Sequence, residues 1–186
     1  MEVRPLIWQG KDLIEPVSGR LYLETHGVID LVAEEERDDD LGDSNHYDKF
    51  PYEFVDWSDK NWIHHAVEDQ LKSFLKEIPQ DHLICDIGCG AGRVSAYLAA
   101  TGRKMILPID YSRRSLEITK KNVDSPVIRA NNLRLPVKSE SVDVVISTGV
   151  IHHTSDPLKA LSESCRVLKI GGKMYLKIYR RGSYYH

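Results

Sequence analysis

Long apolar runs are missing from this sequence. No stretch approaches the roughly 18 consecutive apolar residues that a membrane-spanning helix needs, and Met1-Glu2-Val3-Arg4-Pro5 leads into no long apolar segment. A cytoplasmic protein without a membrane partner is expected. An excess of positive charge is also missing: the formal net charge of -3 supplies no broad field to hold a phosphate backbone, so non-specific nucleic-acid binding is disfavoured as the main activity. Local basic patches stay open. Cysteine is scarce, with Cys85, Cys89 and Cys165 making an odd number, and two of them lie in one strand-and-loop segment that would not be stapled to itself. Reduced thiols are the simplest account. Cys85-x-x-x-Cys89 straddles a glycine loop and no second pair follows, so no metal site is expected.

What is present is an ordinary globular composition, 41% hydrophobic and 28% charged. The 186 residues suffice for one well-buried α/β domain and an appendage, not for two full enzyme domains. Residues 1–33 carry short apolar stretches separated by Gly10, Gly19 and Gly27, which predicts a small N-terminal β appendage. Residues 34–57 begin with the acidic run Glu34-Glu-Glu-Arg-Asp-Asp-Asp40, read as a solvated linker, and end in the aromatic stretch Tyr47 to Trp57. The main domain is expected over 58–186.

From Ser58 the apolar residues Ile63, Val67, Leu71, Phe74, Leu75 and Ile78 recur at spacings of three and four, which predicts a helix capped by Ser58 or Asp59 and ended by Pro79. Strands and helices then alternate: strand 83–87, helix 93–101, strand 105–109, helix 113–122 capped by Ser112, and strands 127–130 and 142–147. Asp156-Pro157 opens a further helix that Gly171-Gly172 is expected to close before strand 173–179. Such alternation implies a mostly parallel sheet with helices on both faces, a three-layer Rossmann-like fold.

In Leu83-Ile-Cys-Asp-Ile-Gly-Cys-Gly-Ala-Gly-Arg93 a buried strand runs into a glycine-rich turn that opens a helix. Glycines there let a backbone approach a ligand closely, and the helix N-terminus suits a carboxylate. Asp86, Gly88, Cys89, Gly90 and Gly92 are therefore candidate ligand residues. Asp110 follows 18 residues beyond Gly92, where a doubly wound sheet places an acid against ribose hydroxyls; the alternative is a cap for the next helix, a role that Ser112 already fills. His152 and His153 stand just beyond the fourth strand, at the carboxyl edge where ligands of open α/β sheets bind. Either could act as a general base, or they cap and line the loop.

These residues resemble the class I S-adenosylmethionine (SAM) dependent methyltransferases, in the large group that includes ubiquinone and menaquinone biosynthesis enzymes. The glycine motif Asp-x-Gly-x-Gly-x-Gly is typical of them, whereas dinucleotide dehydrogenases space their glycines Gly-x-Gly-x-x-Gly. Ala130-Asn-Asn-Leu-Arg-Leu-Pro136, Ser141-Val-Asp-Val-Val-Ile-Ser147, Gly149-Val-Ile-His-His-Thr-Ser-Asp-Pro157 and Cys165-Arg-Val-Leu-Lys-Ile-Gly-Gly172 are similar to the family's later blocks, in order. The resemblance implies that Asp86 and the glycine loop hold the methionine moiety of SAM. It implies that Asp110 holds the ribose, with Tyr111 and Ser147 beside the cofactor, and that Asn132 or Asn131 meets the adenine with Leu133 packing on it. Asn131 stands where the family usually has Asp, and the pair of asparagines could instead simply make a turn.

The same resemblance implies a lid over the cofactor before the domain, with Tyr47 and Trp57 as its candidates, although a plain aromatic staple fits those residues as well. It implies methyl transfer to a small molecule or a modified tRNA base, since no Asp/Asn-Pro-Pro-Tyr block for DNA base amino groups follows the fourth strand. A catalytically silent SAM-binding scaffold is the alternative. Segment 13–32 is similar to the zinc-ribbon-like leaders of some methyltransferases, without their paired cysteines. The family's last two strands have no counterpart before His186, so the edge of strand 173–179 is expected to be covered by the N-terminal segment, by further residues or, foremost, by a second copy in a homodimer.

Overall fold

The computed structural model describes residues 7–9, 12–14, 21–22, 24–32, 59 and 61–179. Strands β1 (Ile7–Gln9), β2 (Asp12–Ile14) and β3 (Leu21–Tyr22) form a small antiparallel sheet in that order. Strands β4 (Glu24–Thr25) and β5 (Val28–Asp30) make a hairpin across His26 and Gly27, both at positive φ. Helices α1 (Trp62–His65) and α2 (Asp69–Lys76) come next. The alternating part runs β6 (Ile84–Ile87), α3 (Arg93–Ala100), β7 (Ile106–Asp110), α4 (Arg113–Asn122), β8 (Val127–Arg129), β9 (Val142–Thr148), α5 (Pro157–Val167) and β10 (Leu168–Lys177).

The main sheet has seven strands in the order β10-β9-β6-β7-β8-β5-β4, and every neighbouring pair except β4 with β5 is parallel. Burial on both faces explains the near-continuous apolar runs: Val142, Val144, Val145 and Ile146 of β9 are fully buried. On one face Ile84, Val144 and Ile146 meet Leu71 and Leu75 of α2 and Val94 and Leu98 of α3. On the other, Cys85, Ile87 and Val145 meet Val167 of α5 and the loop residues Leu135 and Val137. This is the three-layer fold expected. Among the described residues no helix is long and apolar enough to cross a membrane.

Three expectations are corrected. The single helix predicted from Ser58 to Ile78 is two helices, because Glu68 takes an extended conformation (φ -70°, ψ 155°) as the N-cap of α2. Its carboxylate accepts from the Tyr175 hydroxyl (2.6 Å) and from Lys177 Nζ, which ties the break to β10. Of the two predicted caps only Asp59 lies among the described residues. Its Oδ1 accepts from Asn61 N–H (2.9 Å), one residue ahead of α1, so it acts outside the helix.

Gly171-Gly172 do not close α5. The helix ends where Leu168 turns extended and pairs with Val142, and the two glycines fall within β10, where its register against β9 shifts. A Cβ on Gly172 would lie 2.9 Å from the Asp143 carbonyl oxygen, so glycine lets β10 pass close to β9 there. Finally, no described strand of the N-terminal segment pairs with β10. β5 pairs with β8, so the leader extends the opposite side of the sheet.

Candidate functional site

Parallel strands bring their carboxyl ends to one edge, and the turns leaving β6, β7, β8 and β9 meet there. Asp86, at the end of β6 and on the face that α3 covers, is buried, and its Oδ2 accepts from Ser95 Oγ of α3 at 2.6 Å. Burial pushes its pKa up to about 6, against the Ser95 hydrogen bond that lowers it, and nearby Asp110 adds to the rise. A buried carboxylate whose hydrogen bonds come from the neutral Ser95, with another acid beside it, is suited to a cation.

Three glycines at positive φ form the turn: Gly88, Gly90 and Gly92. Their reasons differ. A Cβ on Gly92 would lie 2.7 Å from the Thr119 side chain, so this glycine serves the packing of α3 on α4. Among the described residues a Cβ on Gly90 would meet nothing within 4 Å, so Gly90 borders space that they leave open. The loop is fixed by donation from Gly88 N–H (2.7 Å) and Cys89 N–H (3.0 Å) to the Ile109 carbonyl, and from Thr119 Oγ1 to the Gly90 carbonyl (2.9 Å). Cys89 is buried, which raises its thiol pKa, and Cys85 is raised by burial too, so both stay neutral packing groups.

Asp110 caps β7 and joins two loops. Its Oδ2 accepts from Gly90 N–H and its Oδ1 from Ser112 N–H, both at 2.8 Å. Ser112 is the N-cap of α4, accepting from Ser115 N–H, as predicted. Tyr111 lies under the Arg129 guanidinium, 4.9 Å from its ring centroid. After β8 the two asparagines separate in role. Asn131 Oδ1 accepts from Leu133 N–H (2.8 Å) and its carbonyl from Arg134 N–H (2.9 Å), which makes it the turn former. Asn132 Oδ1 is buried with no hydrogen-bond partner among the described residues. The loop below is pinned by α5: Glu163 accepts from Leu135 N–H (2.8 Å), and Arg166 donates to the Leu135 and Val137 carbonyls. Burial raises the Glu163 pKa, but the bonds from Arg166 and Leu135 outweigh it and hold the carboxyl below its usual range.

Ser147 Oγ, near the end of β9, is a second buried oxygen with no partner among the described residues. Beyond it His152 and His153 occupy a 3-10 turn (Ile151–His153), with ring centroids 4.2 Å apart and Tyr179 4.4 Å from His152. Val150, leading into this turn, sits where a Cβ on Gly88 would go, so the histidine loop and the glycine loop abut. Tyr47 and Trp57 lie outside the described residues. Sequence reasoning missed Ser95, Thr119 and Val150. Ser95 and Thr119 carry only the signal of polar residues on buried helix faces, and Val150 carries none.

Residues 85–176 match the family described as "Methyltransferase domain". "Probable tRNA methyltransferase 9B" of Mus musculus is 33% identical over 132 residues, which are 69% of this chain and 27% of that protein. "tRNA (carboxymethyluridine(34)-5-O)-methyltransferase ALKBH8" of Mus musculus is 30% identical over 118 residues, 62% of this chain and 17% of that one. A SAM-dependent methyltransferase of Thermotoga maritima superposes with a TM-score of 0.55 at 28% identity, over 70% of this chain and 59% of its own. With this fold and these matches the chain belongs to the class I SAM-dependent methyltransferases. Nothing in these relatives singles out the ubiquinone and menaquinone group, and the chain spans under a third of the two tRNA enzymes' length.

The residues present fit the family's cofactor. SAM carries an ammonium and a carboxylate, ribose hydroxyls and an adenine. Asp86 offers the ammonium a buried anion, Asp110 lies beside the glycine loop, and Asn132 Oδ1 and Ser147 Oγ are buried oxygens open to a donor. The open space at Gly90 leaves room for backbone approach.

Proposed function

We propose that this chain transfers the methyl group of SAM to a nucleophile on a modified tRNA base or a small molecule, releasing S-adenosylhomocysteine. The tRNA acceptor is favoured, because both relatives named above are named as tRNA methyltransferases. The observation that carries the reading is the meeting, at one sheet edge, of a buried anionic Asp86, a Gly90 uncrowded by the described residues and two buried oxygens without hydrogen-bond partners among them.

When bound, SAM supplies a methyl carbon made electrophilic by its sulfonium. The chain's own residues bind and orient. Asp86 would pair with the ammonium, Asp110 would accept from ribose hydroxyls while holding Gly90, and Asn132, with Leu133 beside it, would face the adenine. Tyr111 and Ser147 would line the same pocket. Positioning of this kind accounts for most of what methyl transfer needs. For an acceptor hydroxyl or ring N–H, His152 or His153 would take the proton on an imidazole nitrogen. Tyr47 and Trp57 would close over the cofactor.

The test is incubation of the purified chain with methyl-labelled SAM and, separately, total tRNA and a library of small hydroxy and amino compounds. Label in tRNA nucleosides with matching S-adenosylhomocysteine supports the reading. A protein that binds SAM yet releases no S-adenosylhomocysteine with any acceptor is a scaffold, and the proposal fails. A cytoplasmic location is proposed with it, supported by the three thiols. So is a homodimer through the outer edge of β10, which light scattering on the purified chain would read.

A further inference from the structure

The N-terminal leader reaches the cofactor site through a short chain of contacts. β5 lies parallel to β8 with Asp30 opposite Arg129, and Leu31 N–H donates to the Arg129 carbonyl at 2.9 Å. Val28, Ile29 and Val32 are buried, which seats this strand in the core and not on its surface. Asp30 then splits its carboxylate: Oδ1 accepts from Val32 N–H at 3.2 Å, and Oδ2 accepts from Arg129 Nη1 at 3.1 Å, with Arg113 Nη1 at 3.7 Å. Both members of the Asp30–Arg129 pair are largely enclosed, their side chains 13% and 16% exposed.

Arg129 passes the constraint on. Its Nε donates to the Tyr111 carbonyl at 2.8 Å while its guanidinium plane covers the Tyr111 ring. On the other side Ala130 N–H donates to the Asp110 carbonyl at 3.0 Å. Asp110 and Tyr111 are therefore gripped from β8, and Asp110 in turn orients Gly90 N–H. A planar guanidinium held at one nitrogen by Asp30 can aim its Nε and its face together, which a lysine ammonium cannot do.

We propose that Asp30 and Arg129 are positioning residues for the cofactor site, so that the leader strand works as a built-in activator that sets the Asp110-Tyr111 wall. The proposal rests on the cofactor reading above. It differs from a mere staple in what it moves: a staple changes the stability of the fold, whereas a positioning pair changes the affinity of the folded protein.

The experiment compares wild type, Asp30→Asn and Arg129→Lys. Urea unfolding reports the fold, calorimetry with S-adenosylhomocysteine reports affinity, and hydrogen exchange reports the Tyr111 and Ser112 amides without ligand. The lysine keeps a charge for Asp30 but loses the fork and the plane. It decides the matter if Asp30→Asn does not fold. Expected is a folded Arg129→Lys protein whose affinity drops about tenfold, equivalent to about 1.4 kcal/mol, with faster exchange at Tyr111 and Ser112. Unchanged affinity in a folded variant overturns the proposal. If wild type itself does not bind S-adenosylhomocysteine, the cofactor reading fails. Exchange then decides alone: faster exchange in the variants still supports the positioning role, and unchanged exchange removes it.

Discussion

Replacing Asp86 by Asn exchanges one oxygen for an NH2 group and should move stability and binding in opposite directions. In the folded chain the Asp86 pKa lies at about 6 against an ordinary 3.8, chiefly because burial opposes the charge. That rise of about two units corresponds to roughly 3 kcal/mol of ionisation cost in the folded state. The sign follows from linkage. The folded state holds the Asp86 proton more tightly than the unfolded chain, so the favourable contribution is present below pH 3.8 and is lost as pH rises to about 6. Above that, the wild type carries the full cost. Asn carries no charge and its amide oxygen can still accept from Ser95 Oγ. The variant should therefore be more stable than wild type at pH 7.5, by about 1–3 kcal/mol, with the gap narrowing towards pH 4. Affinity for SAM should fall by about 2–3 kcal/mol, the scale of a charged hydrogen bond lost from a buried site. Urea titrations at several pH values and calorimetry with S-adenosylhomocysteine make the measurement. A variant no more stable than wild type at neutral pH, with undiminished affinity, would refute the reasoning on both counts.

Gly90→Ala should fold, at a cost of about 1–2 kcal/mol for a side chain in the left-handed region, since its Cβ meets no atom of the described residues. It should bind S-adenosylhomocysteine far more weakly, and calorimetry on the folded protein that found wild-type affinity would remove the loop from the site. Asn132→Ala should lower affinity with little change in the urea midpoint, because Asn132 Oδ1 has no partner to lose among the described residues. Asn131→Ala should do the reverse, costing about 1 kcal/mol of stability for its broken turn bond; a swapped pattern would reverse the two assignments.

The alternation of β and α, the cap at Ser112 and the cap at Asp156, which accepts from Lys159 N–H at 2.9 Å, were legible because each depends on residues a few positions apart. The glycine loop was legible for the same reason. What was not legible depends on partners far along the chain. The break at Glu68 is fixed by Tyr175 and Lys177, 107 and 109 residues away, against a helical period that runs straight through it. Two adjacent asparagines share one sequence signature, and only the turn geometry shows which side chain is already engaged. The glycine pair at 171–172 reads as a helix stop, yet Gly172 serves close strand approach and Gly171 takes a positive φ within the strand.

The pairing of β5 with β8 has a consequence for the order in which the molecule is built. Asp30 waits for a partner 99 residues downstream. At the usual pace of synthesis that interval lasts about 5–20 s, during which the apolar Val28, Ile29 and Val32 have no β8 to dock on. Closing so long a loop is slow compared with the local steps that raise β6, α3 and β7. The β4–β5 hairpin is made before every other strand of the main sheet yet is among the last to find its place, and a nascent chain stalled before β8 would present its leader to whatever else can complete a strand.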